Sequence, residues 1–337
     1  MTWERKPDMD EQTLKATQKH FSKLGISYVI GTILIIGLQV GMSYAGLELF
    51  PQLYEKYAFL FMMLPMYIIA VPIMILLIKR VPVVQKIEPR KISVKALLGY
   101  FLIAYAGMYL SNIIGNMLAS MIAVFKQGQV QNSIVQIAGN NEIWMNILVM
   151  VICAPIFEEL LFRKLIIDRT VQYGEKLAII LSALMFGFYH GNIYQFCYAF
   201  VLGCVFGYVY TKTGNVKYTI ILHMMINFLG SIASVLVMKA SGLTDLLNGS
   251  ITDSAEMTSY LMAHLSGLAI FGLYFLVIMA LVIGGIVVMA VNAKKMTFLP
   301  ATTPIGKGQT FKVVVCNVGM ASFFLIWLVF IIYATLR

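Results

Sequence analysis

Acidic residues and cysteines are both scarce in this sequence. Only 15 of the 337 residues are Asp or Glu, against 25 Lys and Arg, and charged residues of both signs make up 12%. A soluble domain carries about 25%, so a single water-facing globule is excluded. The four cysteines, Cys153, Cys197, Cys204 and Cys316, fall singly inside apolar stretches, without the paired spacing of a metal site or an exported disulfide scaffold. They are expected to be buried free thiols. Residues 1–23 mix Glu4, Asp8, Asp10 and Glu11 with five basic residues and contain no apolar run followed by a small-residue cleavage site, so no signal peptide is expected there. Internal repeats, low-complexity tracts and linkers long enough to separate domains are also missing.

What remains is apolar: 60% of the residues are hydrophobic, and the mean hydropathy is +0.84. So much apolar surface exceeds what one globular core hides, and a bilayer must supply the solvent. About 20 apolar residues are needed to cross the hydrocarbon, which gives nine spans: 25–46, 57–78, 96–124, 143–167, 177–190, 193–211, 218–238, 266–291 and 313–335. The net charge of +10 is not spread in a stripe with interleaved aromatics, so nucleic acid is not an expected partner. The lysines and arginines cluster in every second connection: the N-terminal segment, 79–95, 163–176, 212–217 and 294–312. By the positive-inside rule, that alternation puts the N-terminus in and the C-terminus out, with an odd number of spans.

The expected fold is therefore an all-α, polytopic transmembrane helical bundle of about nine spans. It divides into a cytoplasmic segment 1–24, two accessory helices with a basic loop at 25–95, a core at 96–238, and a loop with two helices at 239–337. The stretches 239–258 and 293–312 are the expected flexible loops. Stripes of small residues, Gly107, Ser111, Gly115 and Ala119 on the third span and Ala199, Gly203 and Gly207 on the sixth, are expected to let helices approach closely.

Ionisable side chains deep in a bilayer cost several kcal/mol unless paired or hydrated, so each is a candidate functional residue. The fourth span carries Glu158, Glu159 and Arg163 in an otherwise apolar run. Adjacent carboxylates point about 100° apart on a helix. Glu159 and Arg163, four apart with the acid first, suit an intrahelical ion pair, which leaves Glu158 free for chemistry. Pro155 just upstream is expected to disturb the helix and free a carbonyl near the site. The fifth span ends in Phe186-Gly187-Phe188-Tyr189-His190, with the Phe186 ring one turn from the imidazole. The seventh holds His223 and Asn227 on one helical face. An acid, two imidazoles and a carboxamide are what peptide hydrolysis needs, a base for water and donors for the oxyanion. The same residues could equally form a hydrogen-bonded polar core that fixes helix register.

Glu-Glu-x-x-x-Arg, Phe-x-x-x-His and His-x-x-x-Asn, in that order on three expected helices, resemble the CAAX protease and bacteriocin-processing (Abi) family, whose eukaryotic members are the Ras-converting CAAX endopeptidases. The resemblance covers about 143–235 and implies an intramembrane site open toward the cytosol. It implies that Glu158 is the general base on a water also held by His190, that His223 and Asn227 stabilise the oxyanion, and that Glu159, Arg163 and Phe186 support them. No cofactor is expected. Zinc on Glu158, His190 and His223 stays as the alternative, although the helical His-Glu-x-x-His spacing is missing.

The expected partners are the lipid bilayer and a peptide or protein substrate, and the expected location is a bacterial cytoplasmic membrane. A non-catalytic scaffold or a bacteriocin self-immunity protein is the competing function. A transporter is a more distant one, since neither repeated halves nor paired broken helices are visible.

Overall fold

In hydrocarbon every backbone N–H and C=O must find a partner within the protein, and a helix does this within one segment. The computed structural model, which describes residues 10–128, 141–242 and 253–336, is accordingly helical outside its connections, with no strand among the described residues. Glu4, Arg5, Lys6, Asp8 and the loop acid Asp245 lie outside the described residues.

The long helices are α1 (Glu11–Leu49), α2 (Pro51–Lys79), α3 (Val94–Phe125), α4 (Ile143–Tyr173), α5 (Glu175–Tyr189), α6 (Ile193–Thr213), α7 (Val216–Ser241) and α9 (Leu265–Lys295). The short α8 (Ser254–Ala263) precedes α9, and α10 (Thr310–Val314) precedes the final α11 (Val318–Leu336). Eight of these are long and apolar enough to cross a membrane. The one that falls short, the fifth expected span, is α5 with only 15 residues, about 22 Å of helix. The last expected span is broken at Asn317, whose side-chain oxygen caps α11 by accepting from the Met320 N–H at 3.1 Å.

Polar caps set the helix limits. Asp10 accepts from Thr13 N–H at 2.8 Å, Ser93 from Ala96 at 3.2 Å and Asn192 from Gln195 at 2.9 Å, each satisfying a donor that has no partner in the first turn.

The described residues of all five basic connections gather at one end of the bundle. His20 on α1 bonds the Arg169 carbonyl at 2.8 Å, and Arg169 Nε donates to Ile78 O at 2.9 Å. Arg90 N–H reaches Thr213 O at 2.7 Å, and Lys212 pairs with Glu175. The stretch 293–312, expected to be a free loop, instead crosses this end and is tied down by hydrogen bonds. Leu299 N–H donates to Glu175 Oε2 at 2.8 Å and Thr303 N–H to Gln172 O at 2.9 Å. At the opposite end Lys126 Nζ, just past α3, donates to Thr335 O of α11 at 3.1 Å.

The small-residue stripes pack as expected. A Cβ on Gly107 of α3 would stand 2.8 Å from Val201 of α6, and one on Gly203 of α6 would stand 2.7 Å from the Ala183 backbone of α5. The cysteines correct an expectation. All four are free thiols, but Cys153, Cys197 and Cys204 are half-buried and Cys316 is exposed, because it lies at the break between α10 and α11.

Candidate active site

The fourth span is not a plain α-helix. It winds in π turns over Ile147–Cys153 and Glu159–Ile167, on either side of a short α turn at Ala154–Glu158. Such wide turns occur often at functional sites. Here a cause is visible, since Ala154 N–H bonds back to Val149 O. The next donor in that register would be residue 155, a proline, which has no N–H. Met150 O is left over, and Asn227 Nδ2 of α7 donates to it at 2.8 Å. The carbonyl expected to be freed by Pro155 is thus Met150's, and its partner is the motif asparagine. Two carbonyls of the second π segment are also met from outside, Leu161 O by Tyr28 Oη at 2.6 Å and Phe162 O by Ser182 Oγ at 2.8 Å.

Glu158 and Glu159 straddle the junction of α and π winding and diverge there. Glu159 is fully buried and faces Arg163 Nε at 3.1 Å and His223 Nδ1 at 2.9 Å. The carboxylate read as an intrahelical partner of Arg163 therefore also joins α4 to α7. Arg163 is fully buried, and its contact with Glu159 is not aligned as a hydrogen bond, so its three guanidinium nitrogens have no hydrogen-bond partner among the described residues. Aromatic faces stand in, Phe186 at 4.2 Å and Phe206 at 5.6 Å from the guanidinium carbon. Phe186, expected beside His190, is that and more. It meets His190 edge-on at 4.7 Å and His223 edge-on at 5.9 Å, so one ring separates the two imidazoles and keeps them within about a helix diameter.

Glu158 is different. Its side chain is 23% exposed and stands 3.7 Å from His223 Nε2, too long for a hydrogen bond. Near it stand Tyr67, Tyr189 and Tyr198, three phenols that the sequence did not single out. Tyr67 stacks at 5.0 Å on Phe157, the residue preceding Glu158.

His190 ends α5 rather than lying inside it. Its Nδ1 bonds Phe186 O at 2.8 Å; a carbonyl accepts only, so Nδ1 carries the proton and neutral His190 presents a lone pair at Nε2. The following turn is fixed by Gly191 at φ +65°, a left-handed conformation that glycine adopts without strain. Asn192 Nδ2 then donates to His190 O at 2.9 Å and to Gln195 at 2.6 Å.

This turn is sunk in the bundle. Gly115 of α3 lies against Tyr194, and α3 continues to Phe125, roughly 15 Å further. Trp327 of α11 covers Gly191 and is followed by a further stretch of helix to Leu336. Irregular backbone at such depth is tolerated where it is buried in protein or lines a wet cavity, and residues 190–198 are all half-exposed.

The three motifs also agree in depth. Counting 1.5 Å per residue from the basic ends places His223 shallower than Glu158, yet His223 touches both glutamates. The π winding of α4 spends more residues per turn, which brings its site nearer the basic end.

No group of three or more His, Cys, Asp or Glu among the described residues is arranged to hold a metal ion.

Searches of curated proteins and of solved structures find no match. A family model does match, over about a quarter of the chain. Residues 140–229, the segment holding all seven motif residues, match the Rce1-like family, type II CAAX prenyl endopeptidase Rce1-like, in agreement with a CAAX protease and bacteriocin-processing protein.

Proposed function

We propose that the protein is an intramembrane endopeptidase that hydrolyses a peptide bond of a membrane-associated peptide or protein, with Glu158 as general base. The observation carrying this reading is the contrast between the two adjacent carboxylates. Glu159 is spent on Arg163 and His223, whereas Glu158 is partly exposed and makes no hydrogen bond among the described residues. A polar core built only for structure would leave no such carboxylate idle in an apolar setting.

In this mechanism a water donates one hydrogen to Glu158 and the other to His190 Nε2, whose lone pair is left free by the Nδ1 bond to Phe186 O. Glu158 takes the proton as the water oxygen attacks the scissile carbonyl, and later passes it to the leaving amine. A His223 ring carrying a proton on each nitrogen from the outset donates from Nε2 to the oxyanion, and the Glu159 carboxylate on Nδ1 offsets its charge. Asn227 spends one amide N–H on Met150 O and has a second for the oxyanion. The basic end faces the cytosol, as the lysine and arginine clustering supports, and substrate reaches the site from that side.

The test is Glu158→Gln, which keeps shape and removes the base. In proteoliposomes with a cleavable membrane-associated peptide, the variant is expected to fold normally and to lose cleavage; retained cleavage refutes the assignment. Metal analysis of the active preparation, with a chelator control, decides between this mechanism and zinc on Glu158, His190 and His223. The scaffold reading predicts that Glu158→Gln changes nothing.

A further inference from the structure

Away from these residues, a cavity of about 1120 Å³ lies between α3, α5, α6 and α9 at the basic end of the bundle. Its size is at or above the ~300–1,000 Å³ usual for small-molecule sites. The body is apolar, with Leu102, Ile103 and Val205 among its walls, and the rim carries Lys95, Lys176 and Lys295. The groove opens sideways, for Leu98 and Ile180 on its edges are each 49% exposed. No Asp or Glu is among its lining residues, and none of the three lysines is in an ion pair among the described residues. Glu175, next to Lys176, is turned away and occupied by Lys212 and the Leu299 N–H.

Most of the other polar groups on the walls are already engaged, the Tyr100 hydroxyl excepted. Ser93 caps α3, Asn292 Nδ2 donates to Val288 O at 2.8 Å, and Tyr208 is bonded to the Thr297 backbone. A peptide laid here would leave most of its own backbone groups unpaired in apolar surroundings, at several kcal/mol each. An acyl chain needs no such partners, and an anionic head would meet three ammonium groups that no carboxylate pairs among the described residues, Lys176 lying over the Phe298 ring. The geometry points to a binding site for an anionic phospholipid, its head at Lys95, Lys176 and Lys295 and its chains along α3, α6 and α9. The site is independent of the peptidase reading. Cys204, Val205 and Tyr208 line the groove, whereas Phe206 of the same helix packs against Arg163 and His223.

The test reads binding and not cleavage: native mass spectrometry of the full-length protein titrated with phosphatidylglycerol or with phosphatidylcholine of the same chains. Phosphatidylglycerol is expected to be retained the more tightly, with each lysine contributing about fivefold. Lys95→Gln, Lys176→Gln and Lys295→Gln together should abolish the preference. Gly99→Leu provides a second variant that leaves the charges alone. A Cβ at Gly99 meets only Val288, at 3.7 Å, so the added side chain fits and fills the groove, and it should lower retention of both lipids. Lys307→Gln with Lys312→Gln, outside the groove, should change nothing. Equal retention of the two lipids overturns the proposal, as does a preference that survives the triple variant, or one that the Lys307 and Lys312 control removes equally.

Discussion

His223 Nδ1 and Glu159 Oε1 stand 2.9 Å apart across 64 residues of chain. The contact makes α4 and α7 one unit and gives the two glutamates opposite sensitivities. Glu159→Gln leaves Arg163 fully buried without the carboxylate it faces, which costs about 3–5 kcal/mol. A markedly lower melting temperature in detergent is expected, with loss of function following from loss of structure. Glu158→Gln should leave the melting temperature nearly unchanged while cleavage falls about 10²- to 10⁴-fold, the usual worth of a general base. Melting curves and cleavage rates for both variants check this, and matching losses of stability would contradict it.

The Arg163 guanidinium relies on ring faces rather than hydrogen bonds. Phe186→Leu keeps apolar volume and removes the nearer face, so a cost of about 2 kcal/mol is expected for a desolvated contact of this kind. Phe206→Leu, whose ring stands at 5.6 Å against 4.2 Å, should cost less. The order of the two unfolding free energies is the measurement, and a larger cost at Phe206 would show that packing and not the guanidinium decides.

Asn227 and Pro155 should be coupled. Asn227→Ala orphans the Met150 carbonyl, a loss of about 1–3 kcal/mol. Pro155→Ala restores a backbone N–H where the π register lacks one and should recover some of that loss, a coupling above about 0.5 kcal/mol. If Asn227 also serves the oxyanion, the double variant regains stability without regaining cleavage. A double-mutant cycle on stability, with rates measured beside it, reads both effects.

Much of this was legible in the sequence because the bilayer penalises polar groups so heavily. That penalty marked the long apolar helices, and it made Glu158, Arg163, His190 and His223 conspicuous in apolar runs. The lysine and arginine clusters announced which connections share an end, as the Arg90 to Thr213 bond and the Lys212 to Glu175 pair display. The π winding of Glu159–Ile167 was not legible, since i→i+5 bonding leaves the apolar composition unchanged, and only Pro155 hinted at it. Tyr28 and Ser182 looked like ordinary span residues because the carbonyls they serve exist only in the wound structure. The break at Asn317 was hidden by the apolar residues on both sides of it.

The sunken turn after His190 yields the last prediction. Hydropathy draws residues 191–192 as a connection at the membrane surface, whereas α3 and α11 run well past them. Polar backbone and the Asn192 and Gln195 side chains cannot face lipid at that depth, and their half exposure favours a wet cavity over burial in protein. In a background with Cys153, Cys197, Cys204 and Cys316 replaced, Gln195→Cys should react with a membrane-impermeant maleimide, because a thiolate forms only in contact with water. A cysteine at Leu328, 42% exposed on α11 immediately after Trp327, should stay unlabelled as a lipid-facing control at similar depth. Labelling rates for the two positions in intact proteoliposomes decide the matter. Failure of Gln195→Cys to react would remove the water that Glu158 needs.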